Sequence, residues 1–310
     1  MAELSTARLG GARQSLLIRG DHVSNPVVLF LHGGPGMPSM YLAHDFQPAL
    51  EPDFTVVQWD RRGAGRSYDA RFPAESLTVR RTLDDLYELT ALLRDRFHTR
   101  RLYLVAHSWG TYLGLQAIHE HPEWYVAYVG MGQMTPDASA SRRARRACVL
   151  DAAQSLHNPA LYARLARRYR SDSAPIRESD EFVVHGELYR SSTMWPLVRS
   201  GLGAPEYTWA DALHLARGAA FVNAHMVDNV ASGWMRGRPR VDVPVAMFLG
   251  RHDCNEPSDL AARFLDSMVA PVKRLVWFEA SAHFPFWEEP EKFARELRSF
   301  DSLLVRAGRR

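Results

Sequence analysis

The chain has 310 residues, 46% hydrophobic and 24% charged, ample for a large buried core and ordinary for a globular enzyme. A net charge of +3, spread along the chain, gives no reason to expect nucleic acid or an anionic membrane as a partner. No basic stretch at the N-terminus leads into an apolar one, and no run approaches the roughly 18 apolar residues of a membrane span, so the expected location is the cytoplasm.

PVVLFL (26–31) is the first continuous apolar run, broken by His32-Gly33-Gly34-Pro35-Gly36. FTVVQW (54–59) is the second, ended by Asp60 and a glycine-containing loop. From 82 to 97, Leu83, Leu86, Leu89, Ala91 and Leu93 recur at helical spacing. Thr82 is the expected cap of that helix, with Asp84 and Asp85 near its positive end. RLYLVA (101–106) follows as a third strand, and 111–119 as the helix after it. The pattern returns late: VPVAMFL (243–249) as a strand, 258–268 as a helix, RLVWF (274–278) as a strand, and a closing helix over 290–305. Apolar strands alternating with helices imply right-handed crossovers and a mostly parallel sheet covered on both faces.

Between 135 and 238 the character changes. Strand runs are missing, arginines are frequent, and 138–157 and 211–230 read as helices. This predicts a helical cap domain over 135–238, inserted into a core domain built from 1–134 and 239–310; the alternative is a set of ordinary crossover helices. The basic run Arg142-Arg143-Ala144-Arg145-Arg146 reads as a solvated helix face. Cys148 and Cys254 lie far apart without a metal-like spacing, so the expectation is no disulfide and a reducing compartment.

The chemistry concentrates in a few loops. Ala106-His107-Ser108-Trp109-Gly110 joins a strand to a helix, where a tight turn would project the Ser108 hydroxyl clear of the sheet; Ala106 stands where the G-x-S-x-G pattern has glycine. The 32–36 loop is glycine-rich enough for its backbone N–H groups to approach a ligand. Gly34 and Trp109 are the expected oxyanion donors, with Gly33 the alternative for the first. Asp253 follows a late strand and His283 follows the next. The order Ser, Asp, His is that of the α/β-hydrolase fold. His283 would take the proton of Ser108, and Asp253 would orient the imidazole. His44, His107, His225 and His252 are expected to be structural or solvent-facing. The glycine loop Asp60-Arg61-Arg62-Gly63-Ala64-Gly65-Arg66-Ser67 lacks the Walker lysine-serine ending and reads as a structural turn beside the active site.

Taken together, HGGPG, DRRGAGRS, HSWG, GRHD and SAHFPFWEEPEKF resemble the proline iminopeptidase branch of the α/β-hydrolase superfamily, over about 15–133 and 239–305. The resemblance implies an α/β-hydrolase fold, release of an N-terminal residue (often proline) from a peptide, and acidic cap residues that hold the free amino group. Ala216-Arg217-Gly218-Ala219-Ala220-Phe221 stands in the corresponding cap stretch, with Ala219 where the family's glutamate would fall. Glu178, Glu181, Glu187, Glu206, Asp211 and Asp228 are the carboxylates that could replace it. Gly33, Trp195, Trp209, Phe221 and Trp234 are expected to enclose a largely apolar substrate group.

A serine nucleophile suits acyl transfer. The reaction expected is therefore cofactor-free and metal-free hydrolysis of an amide or ester bond in a small molecule or short peptide. The alternatives are an ester or lactone hydrolase, a lyase or cyclase using the same pocket, and a ligand-binding receptor on a hydrolase scaffold.

Overall fold

The computed structural model describes residues 1–171, 174–226, 235 and 239–310. Eight strands form one sheet: β1 (Ala2–Leu9), β2 (Ala12–Arg19), β3 (Val27–Leu31), β4 (Thr55–Asp60), β5 (Leu102–His107), β6 (Tyr125–Met131), β7 (Val245–Gly250) and β8 (Lys273–Phe278). Their spatial order is β1-β2-β4-β3-β5-β6-β7-β8. The hairpin β1–β2 and the β2–β4 pair are antiparallel, and the remaining neighbours run parallel.

Each of β3 to β7 is buried along its whole length. That is why these strands read as continuous apolar runs rather than alternating ones: helices cover both faces. One face packs Leu29, Leu31, Val57, Leu104 and Met247 against helices α1 (Val79–Arg96) and α2 (Trp109–Glu120). The other packs Val28, Phe30, Val105, Val129 and Phe248 against Phe293, Leu297 and Phe300 of the closing helix. Burying each such side chain is worth about 1.5–3 kcal/mol.

Three strands lie outside the runs expected from the sequence. The β1–β2 hairpin turns on Gly10 and Gly11, both with positive φ, as a two-residue hairpin turn requires. β1 alternates between exposed and half-buried positions at the sheet edge, so it carries no apolar run. β6 is a buried run that follows α2 after a single turn at Pro122–Trp124. Helix α1 begins earlier than expected: Thr78, not Thr82, is its cap and accepts from the Arg81 N–H. Asp85 is not a solvated dipole partner but a buried carboxylate bonded to Arg62, Arg81 and Gln14.

Among the described residues five helices lie between β6 and β7: α3 (Ala138–Ser155), α4 (Pro159–Arg168), α5 (Glu178–Val183), α6 (Trp195–Gly203) and α7 (Trp209–His225). Within the Arg142–Arg146 run, only Arg142 and Arg143 are exposed. Arg145 instead makes a bidentate pair with the buried Glu181, and Arg146 is buried. The chain ends through α8 (Ser258–Ser267) and α9 (Pro290–Arg306). None of the described helices is long and apolar enough to cross a membrane.

The cysteine expectation is corrected. Cys148 on α3 and Cys254 form a disulfide, their Cα atoms 5.4 Å apart across a sequence separation of 106. Sequence distance concealed this because the fold lays α3 across the loop after β7. With both cysteines crosslinked, their spacing gives no reason to expect a reducing compartment.

Candidate active site

The carboxyl ends of the parallel strands bring the expected site residues together. Ser108 stands between β5 and α2 at φ +52 and ψ −126, a region a non-glycine residue occupies only under strain. Its N–H is fixed to Met131 O at 2.8 Å, at the end of β6. The turn is closely packed. A methyl group on Gly110 would lie 2.5 Å from the carbonyl oxygens of Leu31 and His32. The Ala106 methyl has room because Gly114 faces it: a methyl on Gly114 would lie 3.2 Å from the Ala106 Cβ.

Asp253 follows β7 and His283 follows β8; both side chains are buried. His283 Nδ1 and Asp253 Oδ2 are 2.9 Å apart. With its proton on Nδ1, the ring leaves Nε2 as the basic nitrogen. Burial, with a smaller push from the Arg145 charge, holds the imidazole well below the usual histidine range. Burial pushes the Asp253 carboxyl up, opposed by the backbone N–H groups of Glu256 and Asn255 and by Arg145. The ring therefore rests neutral and able to accept a proton. His283 and Ser108 line one cavity, and among the described residues no hydrogen bond yet joins their side chains.

Gly33 lies against the serine: a methyl there would be 2.9 Å from the Ser108 Cβ. Gly34 has φ +111, a conformation glycine alone takes readily. Trp109 heads α2, so its N–H belongs to the free positive end of that helix. These are the three candidate oxyanion donors.

The cavity has a volume of about 450 Å³. Its walls include Tyr41, Leu42, Phe182, Leu197, Leu215 and Phe284, so the inserted helices supply part of an apolar lining. The expected aromatics lie elsewhere. Trp195 is 61% exposed and Trp209 77% exposed, and neither lines the cavity. Phe221 packs on Tyr68, with ring centroids 5.9 Å apart, and Trp234 lies outside the described residues.

Of the candidate carboxylates, Glu178 and Glu187 line the cavity. Glu181 is taken up by Arg145, Glu206 by Arg19, and Asp211 by Arg66 and the first turn of α7. Asp228 lies outside the described residues. Glu187 is buried, with Oε2 accepting from Asn255 at 3.0 Å. Burial and the nearby Glu181, Asp253 and Glu178 raise its carboxyl well above the usual range. Ala219 packs instead on Gly36 of the glycine loop.

Two supporting glutamates, Glu288 and Glu289, have no counterpart among the sequence candidates. Glu288 accepts from the Ala282 N–H and from the Tyr189 N–H, both at 2.7 Å, joining the histidine loop to the insertion. Glu289 accepts from Ala280 N and Ser281 Oγ. His107 is buried and stays below its usual pKa for that reason; its Nε2–H donates to His283 O at 2.8 Å. His252 stacks on Tyr189 at the surface.

Several known proteins are similar to this chain over nearly its whole length. A curated relative of Bacillus subtilis, "Probable aminopeptidase YbaC", is 31% identical over 303 residues, covering 96% of this chain and 94% of its own. A proline iminopeptidase of Thermoplasma volcanium is 23% identical, covering 88% of each chain. Among solved structures, a proline iminopeptidase of Mycobacterium smegmatis superposes with a TM-score of 0.68 at 20% identity, covering 96% of this chain and 97% of its own. The family model described as "Alpha/beta hydrolase family" matches residues 28–296, and the chain belongs to that family.

Proposed function

We propose that this chain is a serine hydrolase that cleaves an acyl bond through Ser108, His283 and Asp253. The observation that carries the reading is the strained Ser108 turn opening on the same cavity as a neutral His283 whose Nδ1 is held by Asp253 at 2.9 Å. Ser108 Oγ attacks the substrate carbonyl carbon while His283 Nε2 takes its proton. The oxyanion is met by the Trp109 N–H and by Gly34, or Gly33, from the glycine loop. Collapse expels the amine or alcohol, which leaves with the proton from His283, and a water activated by the same ring releases the acid. Residues 135–238 act as a cap that walls the acyl group from solvent.

The preferred substrate carries a free amino group on the acyl side. Glu187, with Glu178 beside it, supplies the carboxylates that Ala219 does not. The aminopeptidase name of the Bacillus subtilis relative points the same way. The test is a set of aminoacyl-naphthylamides offered with free and acetylated amino groups, prolyl included, to the native chain and to Ser108→Ala. Cleavage of the free form alone, lost in Ser108→Ala, supports the reading; turnover that survives Ser108→Ala overturns it.

The apolar walls favour a second reading, hydrolysis of an ester or lactone with an apolar acyl group. It predicts that p-nitrophenyl esters without an amino group turn over faster than any naphthylamide.

A further inference from the structure

The glycine loop is held from behind by a buried cation. Arg61 is 2% exposed, and among the described residues no carboxylate lies within ion-pair distance of it. Its neighbour Arg62 is paired with Asp85 at 2.7 Å, and the carboxylate of Asp60 is committed to Arg66 N–H and Tyr207. A buried charge without an ion pair is costly unless its donors are fully used. Arg61 places three of its five N–H donors on main-chain oxygens. Nη1 donates to His32 O at 2.6 Å, and Nη2 to Gly33 O at 2.8 Å and Pro35 O at 2.9 Å.

His32 completes the cage. Its Nε2 accepts the Arg61 backbone N–H at 3.3 Å, and its Nδ1 lies 2.8 Å from Gly33 O and 3.0 Å from Arg61 Nη2. Burial keeps this ring neutral.

The consequence follows from peptide geometry. Peptides here are trans, so the C=O and N–H of each point in opposite directions. Holding His32 O turns the Gly33 N–H away from Arg61, and holding Gly33 O turns the Gly34 N–H away likewise. Gly33 and Gly34 line the catalytic cavity and Arg61 does not, so the far side is the Ser108 side. The Arg61 guanidinium also lies 5.0 Å from the ring centroid of Trp109, whose N–H is the donor on the other side of the oxyanion.

We propose that Arg61 is the positioning residue of the oxyanion hole: it fixes the orientation of the Gly33 and Gly34 amides through their partner carbonyls and ties Trp109 to the same cation. Its charge also polarises the amides toward an oxyanion developing beyond them. The proposal rests on the serine-hydrolase reading above and concerns the transition state, not substrate affinity.

The test uses the full chain with Arg61→Gln and Arg61→Lys, p-nitrophenyl acetate as substrate and phenylboronic acid as a tetrahedral-adduct probe. For Arg61→Gln, kcat falls roughly 10- to 100-fold, as expected for a misplaced oxyanion donor, while KM moves by no more than about twofold. Boronate affinity falls in step with kcat, and Arg61→Lys recovers part of both. A merely structural role would lower the melting temperature and leave kcat and boronate affinity of the folded fraction unchanged, and that result overturns the proposal. If Arg61→Gln does not fold, Arg61→Lys decides: loss of kcat and boronate affinity at constant KM supports the proposal, and native values refute it. A native chain that fluorophosphonate does not label defeats the hydrolase reading itself. A labelled native chain with an unaffected variant defeats only the role of Arg61.

Discussion

The backbone carbonyl of Glu187 accepts the N–H of His283 at 3.0 Å. The next carbonyl upstream, Gly186 O, accepts the N–H of Cys254 at 2.9 Å, directly after Asp253. Two consecutive residues of the insertion thus brace both loops of the proposed acid–base pair. The same segment projects a buried carboxylate into the cavity. Pair geometry and substrate recognition are therefore built on one piece of backbone.

Glu187→Gln separates the two roles, because it keeps the backbone and the side-chain volume. For a substrate with a free amino group, KM is expected to rise roughly 10- to 100-fold, the cost of losing one partner of a desolvated ion pair. For an ester without an amino group, kcat and KM should stay near native values. Steady-state kinetics on the two substrates make the comparison. Equal loss on both would mean that Glu187 serves only the loops.

The disulfide gives a second expectation. Cys148–Cys254 closes a loop with a sequence separation of 106, and such a crosslink typically contributes about 2–4 kcal/mol by restricting the unfolded chain. Paired Cys148→Ser and Cys254→Ser substitutions, or reduction by dithiothreitol, should lower the melting temperature by roughly 3–6 °C. Asp253 keeps its bond from the Glu256 N–H at 2.8 Å, so the rate of Ser108 labelling by a fluorophosphonate should change little. A melting temperature indifferent to reductant would mean that the thiols are not crosslinked in the isolated protein.

What the sequence made legible follows the range of the contacts involved. Of the wholly buried strands, β3, β4, β5 and β7 were legible because burial on both faces demands unbroken apolar runs such as VVLFL and LYLVAH; β6, buried in the same way but following α2 after a single turn, was not. The edge strand β1, half exposed, leaves only a weak alternation. Ser108, Asp253 and His283 were legible because each sits in the loop after a strand, where local order fixes the position. Glu187 was legible only as one of six candidate carboxylates, and Glu288 and the cysteine pair were not legible at all. Their partners are distant in the chain, 99 residues away for the bond from Tyr189 N–H to Glu288, and no periodicity records such contacts. The glycines of the 32–36 loop announced a backbone site, but nothing in DRRGAGRS announced that Arg61 would face that loop while Arg62 turned to Asp85.

With His283 as the proposed base, the pH dependence of activity is expected to follow its imidazole. It accepts a proton only when neutral, and burial lowers its pKa below the ordinary value of about 6.5. Lowering the pKa extends the neutral form toward acid. The acid limb of kcat/KM for an uncharged ester is therefore expected below pH 6.5, with activity retained at pH 5.5. An amine-bearing substrate should behave differently, since Glu187 must be ionised to hold it and its pKa is raised. For that substrate KM should fall as pH rises toward neutrality, and Glu187→Gln should abolish the trend. An ester profile with an acid limb at or above 6.5 would place the ring in a wetter or more anionic setting than the structure gives it.

Stability should move the other way with pH. Burial pushes Asp60 and Glu288 up to about 7 and Glu256 up to about 8, each above its unfolded value near 4. Between these limits the native state holds more protons than the unfolded chain, so this contribution is full below pH 4 and is lost as pH rises through 7 to 8. The buried His32, His107 and His283 act in the opposite sense, because their folded pKa values lie below 6.5. Their unfolded counterparts take up protons below that pH, which disfavours folding in acid. Above pH 6.5 the histidines are neutral in both states and drop out, leaving the carboxyls to act alone. The melting temperature should therefore fall between pH 6.5 and 8.0 at constant ionic strength. Asp60→Asn should flatten part of that slope, because an amide can still accept from Tyr207 and the Arg66 N–H without ionising. A melting temperature that rises over this interval would mean that these buried carboxyls are already charged at pH 6.5.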